Sequence, residues 1–252
     1  MTDWTPLATE LQQWQAEGLK LPFWWRDDDA VSDTPALRDL ARMAQEAGLP
    51  VHLAVIPAHA DATLAARVTN TPTLIPVVHG WSHDNHAPAS QKKAEFGAHR
   101  PLDVLESEAR NGLNRLQTLF GADVKPLFVP PWNRIAPDLV PRLPDCGFHT
   151  LSTFTPRAKA HPAPGLTQIN THIDPINWRG GGGLVEESAL IAHTTKLLQD
   201  RRAGRADASE PLGLLTHHLV HDASIWSFCA RLVAVLMDGP ATPWITEKEP
   251  PK

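Results

Sequence analysis

Short apolar runs alternate with stretches of helical periodicity along most of the chain. Residues 23–26 open into the acidic run Asp27, Asp28, Asp29; behind it Leu37, Leu40, Ala41, Ala44 and Ala47 recur at helical spacing until Gly48 and Pro50 stop the pattern. Residues 51–56 are short, β-branched and ended by Pro57, which reads as a buried strand, and residues 73–78 read the same way. Leu105, Ala109, Leu113, Leu116 and Phe120 mark a long helix closed by Gly121. Further strands are predicted at 127–129, 148–152, 166–169 and 212–215, with helical stretches at 137–143, 187–199 and 225–237. Strands alternating with helices make βα units around a parallel sheet. With about seven strands and no glycine-rich phosphate loop after the first, a closed or nearly closed barrel is favoured over an open doubly wound sheet. A single domain is expected, with its core over about 21–240 and a tail at 241–252. The stretches 204–210 and 242–252 read as solvated surface, and the four glycines at 180–183 as a flexible loop beside Trp178.

Composition narrows the partners. The 252 residues carry 23 Lys plus Arg against 28 Asp plus Glu, a net charge of −5, which argues against a nucleic-acid partner. No apolar run is long enough to span a bilayer and the N-terminus lacks the order of a secretory signal, so neither a membrane partner nor export is expected and the chain reads as cytoplasmic. Cys146 and Cys229 fit no metal-ligand spacing and are too few for a disulfide framework; they read as small buried apolar residues. The 13 His and 9 Trp, with no Tyr, prompt a search for a metal site with flat apolar walls.

Parallel barrels carry their working residues at the C-terminal ends of strands. Three adjacent aspartates after Arg26 repel one another unless a cation neutralises them, although Asp also suits a helix cap or loop. The third strand ends in His79, Gly80, Trp81, Ser82, His83; histidines four apart share one face of a helical turn and can grip one cation, with His86 close behind. Gly80 stands where a zinc protease has its glutamate. After the fourth strand, Pro130 and Pro131 present Trp132 rigidly, as a pocket wall requires. Asp174 to Trp178 and Leu215 to His217 follow.

In this order the motifs resemble those of the polysaccharide deacetylases of carbohydrate esterase family 4, over about residues 23–219. The resemblance implies a distorted (β/α)7 barrel and a metal-dependent deacetylase or amidohydrolase that cleaves a non-peptide C–N bond by metal-activated water. Asp29, His79 and His83 would hold the metal, zinc first, with cobalt or nickel as alternatives; three protein ligands and an open position are what zinc catalysis requires in general. Asp28 would be the general base, the backbone N–H of Trp132 an oxyanion donor, and His217 the acid for the leaving amine. The register within Asp27, Asp28, Asp29 is taken so that Ala30 occupies the small-residue place after the pair. Trp81, Trp132, Asp174 and Trp178 would meet the substrate. Two departures stand out: Val129 replaces the arginine that orients the base, and Asn177 replaces the second aspartate of the fourth motif. Arg26, two residues before Asp28 on one face of the strand, is the expected substitute, with Arg134 the alternative. Rival readings are an inert carbohydrate-binding barrel and a hydrolase of a small amide, cyclic imide or ureide. The substrate would be a carbohydrate or small molecule.

Overall fold

Alternation along the first strand sets the layers of the molecule, described for residues 2–247 by a computed structural model. In β1 (Leu21–Ala30), Phe23 and Trp25 face the helices, whereas Trp24 faces the barrel interior, the period of two expected of a strand. The chain continues through α2 (Pro35–Ala47), β2 (Val51–Val55), α3 (Ala62–Thr69), β3 (Leu74–His79), α4 (Leu102–Phe120), β4 (Leu127–Val129), β5 (Thr150–Leu151), β6 (Thr167–Gln168), α5 (Glu187–Arg202), β7 (Leu212–Thr216), α6 (Ala223–Met237) and β8 (Ala241–Pro243). Helix α1 (Thr5–Ala16) precedes them.

The helices begin and end where local chemistry dictates. In α2, Thr34 accepts a hydrogen bond from the Leu37 N–H, Pro35 opens the first turn, and Gly48 in the left-handed region closes the last. Its buried residues Leu37, Leu40, Ala41 and Ala44 form one stripe. Asp222 caps α6 by accepting from the Ile225 N–H, and Ile225, Phe228, Cys229, Leu232, Val233 and Leu236 bury its inner face.

The strands pair in parallel in the order β6-β5-β4-β3-β2-β1-β7, with β8 alongside the start of β1. The chain after β6 closes the ring. Phe154 pairs with Thr171 and Ile173 with Leu214, both in parallel; His172 and Ile173 donate N–H to the Gly213 carbonyl at 2.8 and 3.1 Å, and Leu215 donates to Ile173 at 2.8 Å. Closure requires glycine at 213, since a Cβ there would stand 2.5 Å from Trp24 Nε1 and 2.8 Å from the Asn170 carbonyl. The result is a distorted (β/α)7 barrel of parallel strands, closed through this irregular seventh connection. Its interior is plugged by Trp24, Ala54, Val77, Leu127, Val129 and Ile169, with Trp244 packed against them. The larger apolar layer lies between strands and helices.

Several expectations change. β1 does not end at Arg26 but runs through all three aspartates. Helices α1 and α3 are additions, and Trp4, Leu7, Leu11 and Trp14 place the N-terminal segment within the core, which therefore extends outside 21–240. The stretch 137–143 is not an α-helix: Pro141 and Pro144 leave only single 3₁₀ turns at Val140–Arg142 and Pro144–Cys146. Residues 241–243 form a strand and Thr246 is buried, so this part of the tail is structural; positions 248–252 of the expected solvated tail lie outside the described residues. Glu210 is buried against His172 and Arg201 rather than solvated. Both cysteines are free and buried.

Candidate active site

A bulge at the end of β1 aims two consecutive carboxylates the same way. Asp27 pairs with Leu53 and Ala30 with Val55, three steps on β1 against two on β2. Asp29 takes up the extra residue with φ of 75°, in the left-handed region. Asp28 and Asp29 thus both line a cavity of about 720 Å³ at the C-terminal end of the barrel, although neighbours on a regular strand would diverge. Five non-glycine residues among those described have positive φ; Asp29, His83, Trp132 and Asn133 are four of them, and all four line this cavity. Each such conformation costs about 1–3 kcal/mol and persists only where surrounding structure enforces it.

Arg26 is wholly buried and uses all five of its N–H groups. Nε and Nη2 donate to the two oxygens of Asp28 at 2.9 and 3.0 Å. Nη2 also donates to Asn133 Oδ1 at 2.7 Å, and Nη1 donates to Ser152 Oγ at 2.8 Å and the Thr153 carbonyl at 3.2 Å. The bidentate clamp fixes the plane of the Asp28 carboxylate. Arg134 does not reach Asp28; its Nη1 donates to the Lys93 carbonyl at 2.6 Å.

His79 and His83 are joined by a loop, not by the helical turn expected from their spacing. Gly80 and His83 both have positive φ, 57° and 61°. The loop is organised by Glu95, a buried carboxylate that accepts from the backbone N–H groups of Trp81, Ser82 and His83 at 3.2, 2.7 and 3.1 Å, and from Ser82 Oγ at 3.0 Å. A Cβ on Gly80 would stand 2.2 Å from the Glu95 carboxylate, so the turn excludes any larger residue.

The donor set fits a divalent cation. His79 must donate Nδ1–H to the Val129 carbonyl, 3.0 Å away, so in the neutral ring Nε2 presents a lone pair, and Asp29 Oδ1 lies 3.1 Å from it. His83 Nε2 is 3.4 Å from the same oxygen, and one ligand atom from each residue lies within 4.8 Å of the others. Lone pairs brought together this way repel unless a proton or a cation stands among them, and two imidazoles with a carboxylate are donors that zinc and its neighbours accept. The carbonyl partner of His79 supplies the outer support such ligands need. Proton affinities follow the same polarity. Burial disfavours charge on His79, but the charges of Asp28 and Asp29 outweigh it and raise its pKa. Burial opposes ionisation of Asp29, yet the hydrogen bond and charge of His79, with the charges of His217 and His83, hold its carboxyl well below the usual range. His83 is lowered by burial and by the charge of His79.

His217 stands beyond the end of β7, its Nε2 4.0 Å from Asp28 Oδ2 and its Nδ1 buried without a hydrogen-bond partner. Trp178 meets its ring edge-on at 4.8 Å and donates Nε1–H to Asp174 at 2.8 Å. Burial raises the Asp174 pKa, partly offset by the charge of His217. Asp27 faces away: its carboxylate takes His218 Nδ1–H, the His218 N–H and Thr216 Oγ–H, so His218 is packed behind the site.

The structure brings Asp28, Asp29, His79, His83, Trp132, Asp174, Trp178 and His217 to one cavity, with Arg26 directly beneath Asp28. Trp132 lies 4.3 Å from the His83 ring. Trp81 is not part of it: its side chain packs against the hydrophobic core. His86 is exposed outside it. Glu95 and Asn133 escaped the sequence reading because nothing in their spacing marks a loop residue as a support for a distant side chain. Lys93, Phe154 and Arg179 also line the cavity and carried no signal.

No protein-family model and no curated protein matches the sequence. Solved structures do match. A Streptococcus mutans CE4 esterase aligns with a TM-score of 0.60 at 11% identity, covering 92% of this chain and 87% of that one. A family 4 carbohydrate esterase from Streptomyces lividans, solved with acetate, gives 0.59 at 13% identity over 90% and 94%. A peptidoglycan N-acetylglucosamine deacetylase solved with an N-hydroxybenzamide ligand gives 0.57 at 14% over 91% of each chain. The fold is that of the family 4 carbohydrate esterases. Within the family 4 fold the two departures have local explanations. Val129 belongs to the apolar plug, its carbonyl holding His79 and Gly80, while the guanidinium on Asp28 comes from β1. Asn177 is exposed and closes the glycine turn, its Oδ1 accepting from the Gly180 N–H at 2.9 Å. No helix among the described residues is long and apolar enough to cross a membrane.

Proposed function

We propose that this protein is a hydrolase that removes an acyl group, N-acetyl foremost, from a carbohydrate or small amide, using a divalent cation held by Asp29, His79 and His83. Zinc is the first choice, cobalt or nickel the alternatives. One observation carries the reading: a carboxylate clamped by a fully bonded arginine stands beside the Asp-His-His trio, with a histidine 4.0 Å away across the same cavity.

Bound there, a divalent cation supplies Lewis acidity, making water more acidic and polarising a carbonyl oxygen. Asp28, fixed by Arg26, takes the proton from the attacking water. The backbone N–H of Trp132 donates to the carbonyl oxygen as negative charge builds on it. His217 delivers a proton to the departing nitrogen, so that water is divided between acetate and amine. Trp132 and Trp178 offer indole faces on which a sugar or heterocycle can lie. Outlying Trp81 has no role in this scheme. The Arg26 clamp supplies what Val129 withholds, which favours turnover over the inert carbohydrate-binding reading.

The test is to offer acetylated amino sugars, small amides, cyclic imides and ureides to zinc-, cobalt- and nickel-loaded protein and follow release of amine, acetate or ring-opened acid. Release that a chelator abolishes and Asp28→Asn suppresses is expected. Binding of acetylated sugars with no release under any metal would establish the inert reading instead.

A further inference from the structure

Three cations surround this cavity without acidic partners. Among the described arginines, Arg179 alone makes no ion pair, hydrogen bond or ring contact, and it lines the cavity beside Trp178. It follows Trp178 at the edge of a turn held by the Asn177 and Gly180 bonds. Lys93 and Arg134 line the same cavity beside Trp132. Arg134 is held by its 2.6 Å bond to the Lys93 carbonyl, and the Lys93 ammonium lies 5.9 Å from the Trp132 ring centroid; neither forms an ion pair. The carboxylates of the cavity are already engaged, Asp28 with Arg26, Asp29 with His79 and His83, and Asp174 with the Trp178 indole. A positive rim is thus maintained in a chain of net charge −5, whose overall field repels anions. Guanidinium groups with free N–H forks are suited to carboxylate or phosphate oxygens.

We propose that the substrate carries an anionic group, carboxylate or phosphate, received by Lys93, Arg134 and Arg179 while its acyl group reaches Asp28 and the Asp29, His79, His83 trio. Only the acyl half of this statement rests on the hydrolase reading. Three probes share one N-acetylated sugar frame: N-acetylglucosamine, neutral; N-acetylmuramic acid, a carboxylate; and N-acetylglucosamine 6-phosphate. The kcat/KM of at least one charged probe should exceed that of the neutral one by about tenfold or more, through KM, and the advantage should shrink with added salt. Which charged probe wins identifies the anion. Arg179→Gln, and the double variant Lys93→Gln with Arg134→Gln, should each reduce the charged-to-neutral ratio about tenfold. Arg142→Gln removes the same charge from a pair with Glu106 outside the cavity and should leave the ratio unchanged. Equal kcat/KM for charged and neutral probes, or a ratio indifferent to the cavity variants, overturns the proposal. If no probe is hydrolysed, calorimetric binding of the same three compounds decides: tighter binding of a charged probe, weakened by Arg179→Gln, upholds the anion site and removes only amino sugars as the hydrolase's substrates, whereas no preference overturns the anion site.

Discussion

Two buried histidines at opposite ends of the barrel make the same first contact and differ in the second. His52, toward the start of the strands, donates Nδ1–H to the Trp25 carbonyl at 3.2 Å, and its Nε2 accepts the Thr246 N–H at 3.1 Å. Trp24 and Trp244 enclose it. His79, at the far end, donates Nδ1–H to the Val129 carbonyl, but its Nε2 meets the Asp29 carboxylate. Every lone pair of His52 is satisfied within the neutral protein, and burial lowers its pKa to about 4. The second nitrogen of His79 faces an acceptor, a contact that only a proton or a cation between the two relieves. Burial alone therefore does not distinguish the two histidines; what the second nitrogen faces does.

The contrast can be broken first at the rim. His217, with an unpartnered Nδ1 and no place among the ligands, should lose about a hundredfold to ten-thousandfold in rate on an amide when changed to Ala, while keeping its metal. It should lose far less on an activated acetate ester, whose leaving group departs without a proton. Equal losses on both substrates, or loss of metal, would make His217 something other than the acid. Arg26→Ala should cost about a hundredfold in turnover through the misaligned Asp28. It should also cost about 3–5 kcal/mol in stability, because the carboxylate is left buried without its partner. Arg26→Lys should recover little of either, since an ammonium cannot repeat the five bonds. Full activity in Arg26→Ala would remove the clamp from the account.

At the other end the effect is on stability and is smaller. The folded pKa of His52 lies below its unfolded value of about 6.5, so its contribution is complete above that pH. As pH falls from about 6.5 toward 4 the unfolded chain binds a proton that the folded one refuses, and about 3 kcal/mol is lost. His52→Gln, which keeps one donor and one acceptor, should flatten this part of the stability profile in urea unfolding between pH 7 and pH 4.5. An unchanged slope would show that His52 is not held neutral.

Strands β1 to β7 and helices α2, α4, α5 and α6 were legible because their apolar runs and helical spacing stand out locally, whereas β8 lies in a Pro-rich stretch without such a run. Helix α1 carried the spacing Trp4, Leu7, Leu11, Trp14, but its polar intervening residues and buried Glu10, which bonds Trp14 and Arg202, blurred the stripe. The contact of Arg26 with Asp28 followed from strand alternation. The bulge at Asp28 and Asp29 did not, because a register shift is a property of two strands and only one of them contains the motif. Trp81 was read by its adjacency to the histidine motif, but it follows Gly80, whose φ is 57°, and its side chain packs against the core rather than lining the cavity. Glu95 bonds the His79 loop from 12 to 14 residues away through backbone N–H groups, which no side-chain pattern records.

If Asp29, His79 and His83 together hold one cation, the metal stoichiometry of the protein follows. Protein stripped by chelator, reloaded with zinc and freed of excess should hold one ion per chain by elemental analysis, and His83→Ala should lose most of it while retaining its far-UV circular dichroism and thermal transition. Full occupancy in the folded His83→Ala protein would contradict the assignment.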